Sequence, residues 1–406
     1  MSGADGGGSP PTATRRRLLA GSAAGLAAGG GAGWWAGARG DATSTPTTPT
    51  TADPTSPAGA SDDGAPVAAR GRRQAGVDRP VRPPHHLSFV VLGEQGDAAL
   101  GRTDVAALLA GLGEQVDVLT TSGDPRLPDM PGNLTVQVGV GAAWADLAEP
   151  GLGDRVRLPA FRGSDALAAD LRGGDLVLAV AADDPALPDH VVDLLLADLP
   201  GLRVRWTQRA FRSPGTGAVV RNPLGFLDGI VQPEDAAAMD AGVWIRDGAA
   251  TDGTIGVVRR FTLDGAAFAR LGADEQAAVI GRRPDGTPLS GGAADADVDL
   301  TAKTPHGEYL VPADSHVRAA HPSFTGSALM ARRSYAIRVD ADGAAPRPGL
   351  LFCSFQDDVR VFARTQQRMD RVDRLMDFAT PTAEIGFLVL PGFAPDRPLG
   401  STLFGS

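Results

Sequence analysis

Leu87-Ser88-Phe89-Val90-Val91-Leu92 is a run of large apolar residues interrupted only by Ser88. It has the length of a strand and is too short for a buried helix. Helical spacing follows over 105–116, then strands at 134–139 and 176–181, a helix at 189–197 and a strand at 202–206. Strand, helix, two strands, helix, strand is the order of a ferredoxin-like unit. The order then repeats with a strand at 254–263, a helix capped by Asp264 and running toward Ile280, strands at 334–339 and 350–355, a helix at about 358–377 and a last strand at 385–390. The expected fold class is α+β, with two ferredoxin-like halves built on antiparallel sheets and divided into 85–235 and 236–406.

Outward from these units the composition changes. Thr14-Arg15-Arg16-Arg17-Leu18-Leu19 precedes a weakly hydrophobic Ala/Gly stretch, and Ala36-Gly37-Ala38 offers small residues for cleavage before Arg39. Residues 1–38 thus resemble a twin-arginine export signal, and an exported, periplasmic, wall-associated or extracellular location is expected. That route carries folded chains, so it suits a protein that loads a prosthetic group beforehand. Residues 39–84, rich in Thr, Ser, Pro, Ala and Gly, are expected to form a disordered linker.

The 406-residue chain holds 53 glycines and 32 prolines but only 5 % aromatics, which favours a loop-rich fold over long helical bundles. Its net charge of -10, without a dense basic run, argues against a nucleic-acid partner. Cys353 is the only cysteine, so no internal disulfide forms.

Chemistry concentrates in three stretches. Asn222-Pro223-Leu224-Gly225-Phe226-Leu227-Asp228-Gly229 sets a carboxylate between glycines that let backbone pass close to a bulky ligand. Val311-Pro312-Ala313-Asp314-Ser315-His316-Val317-Arg318-Ala319-Ala320-His321-Pro322 carries two of only six histidines. Ser327-Ala328-Leu329-Met330-Ala331-Arg332-Arg333-Ser334-Tyr335 puts two arginines beside a strand. On the residues alone, Asp228 reads equally as a turn residue, His316 as a loop histidine and the arginines as solvated edge charges.

Together these stretches resemble the dye-decolourising family of haem peroxidases. The likeness also takes in Val257-Val258-Arg259-Arg260-Phe261, the run from Asp274 to Arg282, and Gly386-Phe387-Leu388-Val389-Leu390-Pro391-Gly392. It is closest to the secreted, twin-arginine-dependent branch. The resemblance implies one haem b per chain, held mainly by the C-terminal half, with His316 as the iron ligand. It implies Asp228 as the proton-transferring group, Arg332 as the cation beside the peroxide, and Asp373 as the acid that hydrogen-bonds the ligand imidazole. Arg282 is assigned to a haem propionate, and Gly229, Ile230, Val231, His321, Pro322, Ser323 and Arg332 to the haem lining.

Two departures stand out. Where the family usually continues Thr-x-Asn-Pro after Asp-Gly, this chain has Ile230-Val231-Gln232-Pro233, which removes the hydroxyl and the asparagine and the hydrogen bonds expected of them. His321 stands where asparagine is common.

The expected activity is reduction of hydrogen peroxide with oxidation of dyes or other one-electron donors. Large donors are expected to react at surface aromatics, with Trp144, Trp206, Trp244, Tyr309 and Tyr335 as candidates. Two competing readings are an exported haem-binding, iron-releasing protein of deferrochelatase type, and a ferredoxin-like interaction module without a ligand. The expected partners are peroxide, an unidentified reductant and the twin-arginine machinery, with a homo-oligomer left open.

Overall fold

The computed structural model describes residues 66–96, 99–120, 124–127, 132–213, 219–341 and 344–405, so the expected signal lies outside them. The first strand extends to β1 (His86–Glu94). Leu87, Phe89 and Val91 enter one core, while Val90 and Leu92 enter another. A strand with a two-residue side-chain period reads as a continuous apolar run when both of its faces are covered.

The chain continues through α1 (Arg102–Thr120), β2 (Thr135–Val140), α2 (Ala142–Ala148), β3 (Leu176–Ala182), α3 (Leu187–Leu196) and β4 (Leu202–Phe211). The strands lie in the order β2-β3-β1-β4, all antiparallel. A connection containing β5 (Val220–Arg221), β6 (Leu227–Asp228) and α4 (Ala236–Gly242) leads to the second unit. That unit begins with β7 (Thr254–Leu263), α5 (Gly265–Ala269), α6 (Ala273–Ile280) and the short turns α7 (His316–Ala319) and α8 (Pro322–Thr325). It ends with β8 (Ala331–Arg332), β9 (Tyr335–Ala341), β10 (Ala344–Gln356), α9 (Val359–Val372), β11 (Ala379–Val389) and α10 (Ser401–Phe404). Its order β9-β10-β7-β11 repeats the permutation of the first. Both ferredoxin-like halves are therefore present.

The halves close on each other. Ala210 and Phe211 of β4 pair with Ile337 and Ala336 of β9, and Val140 and Gly139 of β2 with Leu388 and Val389 of β11. Eight strands thus form a ring. Its interior is filled from both halves by Phe89, Trp206, Val258, Ile337 and Phe387, and each large apolar side chain buried there contributes about 1.5–3 kcal/mol. The expected division at 235/236 falls in the connection, yet all described residues belong to one compact unit because the halves share this core.

Three expectations need correction. The helix capped by Asp264 stops at Ala269 and restarts after Gly272, giving α5 and α6. The helix expected to reach 377 ends at Val372. There Asp373 leaves the helical region (φ -85°, ψ 112°) and its Oδ1 accepts from the Leu375 amide at 2.8 Å. Residues 66–84, assigned to the linker by composition, pack against the barrel. Gln74 is 2 % exposed, donates to the Val138 and Leu390 carbonyls and accepts from the Val138 amide, while Ala75 and Val77 are buried beside it. One buried amide and a few small apolar residues suffice for this, and composition averages them away.

Candidate functional site

One of the three chemistry-bearing stretches, 222–229, packs into a small core outside the barrel together with α5, α6 and the turn after α9. Phe226, Phe268, Val279 and Ile280 are buried together, with Leu375 and Phe378 packed against them. Phe268 lies edge-on to Phe226 (6.0 Å) and to Phe378 (5.4 Å). Phe226 stands two positions before Asp228, Ile280 two before Arg282, and Leu375 two after Asp373. Packing in this core therefore sets where the polar groups emerge.

His316 opens α7, and its Nδ1 lies 2.7 Å from Oδ2 of Asp373, whose side chain is fully buried. The imidazole is about a third exposed. Burial opposes a charge on the ring, but the Asp373 carboxylate outweighs it and holds the His316 pKa above the usual histidine value. With Nδ1 committed to the carboxylate, Nε2 is the nitrogen left to ligate. The segment is seated closely: Gly281, at φ +93°, caps α6 where an added Cβ would stand 2.2 Å from Cγ2 of Val317. The Arg374 amide, in turn, donates to the Asp314 carbonyl at 3.0 Å.

Asp228 ends β6, where Gly229 at φ +85° turns the chain and its amide donates to Asp228 Oδ1 at 2.6 Å. Arg332 comes from β8, and its guanidinium lies 4.0 Å from Asp228 Oδ1. Both side chains are partly exposed, at 36 % for Asp228 and 25 % for Arg332. Both charges also act on the His316 ring, so the three groups share one electrostatic neighbourhood. A hollow lined by Arg212, Asn222, Ser334 and Tyr335 borders Asp228.

Gln232, expected only as a loss, makes two hydrogen bonds. Its Oε1 accepts from the Arg332 amide at 2.6 Å, and its Nε2 donates to the Gly229 carbonyl at 3.1 Å. An amide in place of the family's asparagine was the signal available for it. Ile230 and Val231 are half-buried beside it.

Arg282 is not the surface ion pair that its type suggests. It is 4 % exposed and donates to the Gly286 and Ala294 carbonyls at 3.0 and 3.4 Å; burial lowers its pKa while Asp297 opposes that shift. His321 caps α8, accepting from the Ser323 amide at 3.1 Å, with its Nε2 3.2 Å from Asp297. Pro322 is the first residue of α8, and it stands with Ser323 at the end of the His316 segment.

Of the five candidate surface aromatics, Trp144, Trp206, Trp244 and Tyr335 are buried and Tyr309 is exposed at 44 %. Lys303 and Arg318 lie over its ring at 4.7 and 4.2 Å. No group of three or more His, Cys, Asp and Glu side chains that could hold a metal ion occurs among the described residues. A single imidazole with its other nitrogen held by a carboxylate is a donor set that fits a haem.

A family model for the C-terminal part of DyP-type peroxidases matches residues 220–394, which include every polar group described above from Asp228 to Asp373. A deferrochelatase of Yersinia pestis is 31 % identical over 364 residues, covering 80 % of this chain and 81 % of that protein. The chain belongs to the DyP-type peroxidase family. A dye-decolorizing peroxidase of Thermobifida fusca is 34 % identical over 247 residues, 56 % of this chain and 57 % of that one. Ferric DtpA from Streptomyces lividans superposes with a TM-score of 0.75 at 30 % identity, covering 84 % of this DyP-type chain and 98 % of DtpA. The closed pair of ferredoxin-like halves is thus the DyP-type architecture.

Proposed function

We propose that the protein is a haem peroxidase that reduces hydrogen peroxide and oxidises one-electron donors, with His316 as the iron ligand and Asp228 and Arg332 as its peroxide-handling pair. The observation that carries this is the His316–Asp373 hydrogen bond within electrostatic reach of Asp228 and Arg332. When bound, haem supplies the redox centre at which the peroxide O–O bond is broken. His316 holds the iron through Nε2, and Asp373 raises its donor strength by drawing on the Nδ1 proton. Asp228 would serve as the proton acceptor and donor for the bound peroxide. Arg332 stabilises the negative charge developing on the departing oxygen. Arg282, with donors beyond the two used on carbonyls, serves a propionate, and Gly229 to Val231 with His321 to Ser323 line the group. Tyr309, exposed at 44 %, would be the entry point for electron donors too large for the pocket.

The test is an absorption spectrum of the haemin-loaded protein before and after one equivalent of peroxide. A Soret band that responds to peroxide is expected, and a colourless or unresponsive protein overturns the reading. A second reading, a deferrochelatase that binds haem with little turnover, is favoured by the name of the Yersinia relative. It requires Asp228→Ala to leave peroxide turnover unchanged. The arginine pair at Arg15 and Arg16 supports export by the twin-arginine route. Changing both to lysine abolishes export if that is correct and leaves it intact if it is not.

A further inference from the structure

Asp228 and Arg332 lie on strands that no ladder connects. β6 belongs to the two-stranded sheet with β5, whereas β8 sits on β10 at the edge of the barrel sheet. The direct polar link between the two backbones, among the described residues, is the side chain of Gln232. We propose that Gln232 is a positioning residue for the peroxide reaction, an amide clamp that sets the spacing between the Asp228 carboxylate and the Arg332 guanidinium; the proposal rests on the peroxidase reading above.

The bonds form a closed circuit. The Gly229 amide donates to Asp228 Oδ1 at 2.6 Å, and the Gly229 carbonyl accepts from Gln232 Nε2 at 3.1 Å. Gln232 Oε1 accepts from the Arg332 amide at 2.6 Å, and the Arg332 guanidinium returns to within 4.0 Å of Asp228 Oδ1. Gly229 is thus bonded through both its N–H and its C=O, and Arg332 through its N–H. An amide does both jobs, because one end donates and the other accepts. A carboxylate there accepts but does not donate, and leucine does neither. Asparagine keeps both functions with one methylene less reach. The clamp acts on backbone, so it moves the reacting side chains without touching peroxide, and small displacements of such groups are costly in rate.

The test compares Gln232→Leu, Gln232→Glu and Gln232→Asn with the parent by three measurements. In the haem-free chain, hydrogen exchange reports the Arg332 amide directly, and Gln232→Leu is expected to accelerate it about tenfold, the worth of a lost hydrogen bond. In the haemin-loaded protein, fluoride affinity reports whether the Arg332 charge is still aimed at the iron-bound anion. Gln232→Leu is expected to weaken fluoride binding and to slow the reaction with peroxide, each by about tenfold, with Gln232→Glu also impaired and Gln232→Asn recovering most of the loss. A role confined to stability would lower the melting temperature and leave fluoride affinity and peroxide rate unmoved. The proposal is overturned if Gln232→Leu stays within about twofold of the parent in both, or if the leucine and asparagine variants are equally slow. A parent that takes up no haemin overturns the peroxidase reading and this role with it, while the exchange measurement still decides whether the clamp exists.

Discussion

Asp373 and His316 stand 57 residues apart in sequence and 2.7 Å apart in space, carboxylate oxygen to imidazole Nδ1. The same aspartate ends α9 and caps the turn that follows, Oδ1 on the Leu375 amide and Oδ2 on His316. Where a helix stops and how the His316 imidazole is oriented are therefore one feature. Asp373→Asn keeps one carbonyl acceptor where the aspartate has two oxygens in use, and removes the charge. Haem should stay bound, its ferric/ferrous midpoint should move to more positive potential, and the reaction with peroxide should slow by about 10–100-fold. His316→Ala should instead lose the haem, since His321 is committed to its cap and to Asp297. A redox titration with stopped-flow mixing checks the first; an unchanged midpoint would show that the carboxylate does not tune the imidazole. Haem retained with a normal spectrum in the alanine variant would rule out His316 as the ligand.

The substitution Gly281→Ala should act on the same segment from the other side. The alanine would have to adopt φ +93° and place its Cβ 2.2 Å from Cγ2 of Val317, the residue after His316. Backbone strain of this kind costs about 1–3 kcal/mol, and relief requires shifting α7. Lower stability together with weaker haem retention is expected. Gly265→Ala, where no atom lies within 4 Å of the new Cβ, is the control and should be neutral or slightly stabilising. Equal behaviour of the two variants would show that the close approach at Gly281 is not what seats His316.

How much of this was legible in the sequence depends on the kind of interaction. The strands at 87–92 and 176–181 were readable because both faces are covered and the runs are almost wholly apolar, and 254–263 was readable although Arg259 and Arg260 interrupt it. Closure of the ring was not, since it rests on two residue pairs at each junction, too few to mark β4 or β2 in composition. The end of α9 at Asp373 was missed because the pattern continues apolar through Leu375 and Met376, and only the side-chain cap stops the helix. The motifs singled out Asp228, His316 and Arg332, and the structure sets Arg332 4.0 Å from Asp228 with both charges acting on the His316 ring. Gln232 and Gln74 were not found as working residues, because a glutamine's value lies in which two backbone groups it bridges, and sequence spacing carries no trace of that.

Cys353 bears on life beside peroxide. The thiol is buried inside the barrel, and burial pushes its pKa up to about 12 against the weaker opposing charge of Arg212. From the ordinary value of 9.0, the thiolate fraction at pH 8 falls by about a thousandfold, and the thiolate is the form that peroxide and alkylating agents attack. Iodoacetamide at pH 8 should leave the folded protein unmodified over hours and label it rapidly in denaturant. Labelling of the folded chain at the denatured rate would mean that the barrel opens far more readily than its core packing allows.

The last prediction ranks the two peroxide-handling residues. A charge that stabilises a developing anion in a dry site contributes about 2.7–4 kcal/mol, and a positioned proton acceptor gives roughly 10²–10⁴-fold, so magnitude alone does not choose. The chemistry of replacement does. Asp228 is 36 % exposed and borders a hollow, so water can take over the proton transfer when the carboxylate is removed. Two further guanidiniums lie near this pair: Arg212, which lines the hollow beside Asp228, is 7 % exposed and lies over the Tyr335 ring at 5.4 Å, and the other is Arg333. That guanidinium is 8 % exposed, donates to the Pro80 carbonyl at 2.6 Å, and has its pKa brought down to about 10 by burial, so it is tied to a different wall. Both side chains are engaged elsewhere, Arg212 over Tyr335 and Arg333 on the Pro80 carbonyl, so neither takes the place of Arg332. Arg332→Leu should therefore slow the reaction with peroxide more than Asp228→Asn, at every pH between the acid and alkaline limits of stability. Stopped-flow rates for both variants across that range decide it; a slower Asp228→Asn protein throughout would mean that water does not stand in for the carboxylate, and that proton transfer, not charge stabilisation, is the larger part of catalysis here.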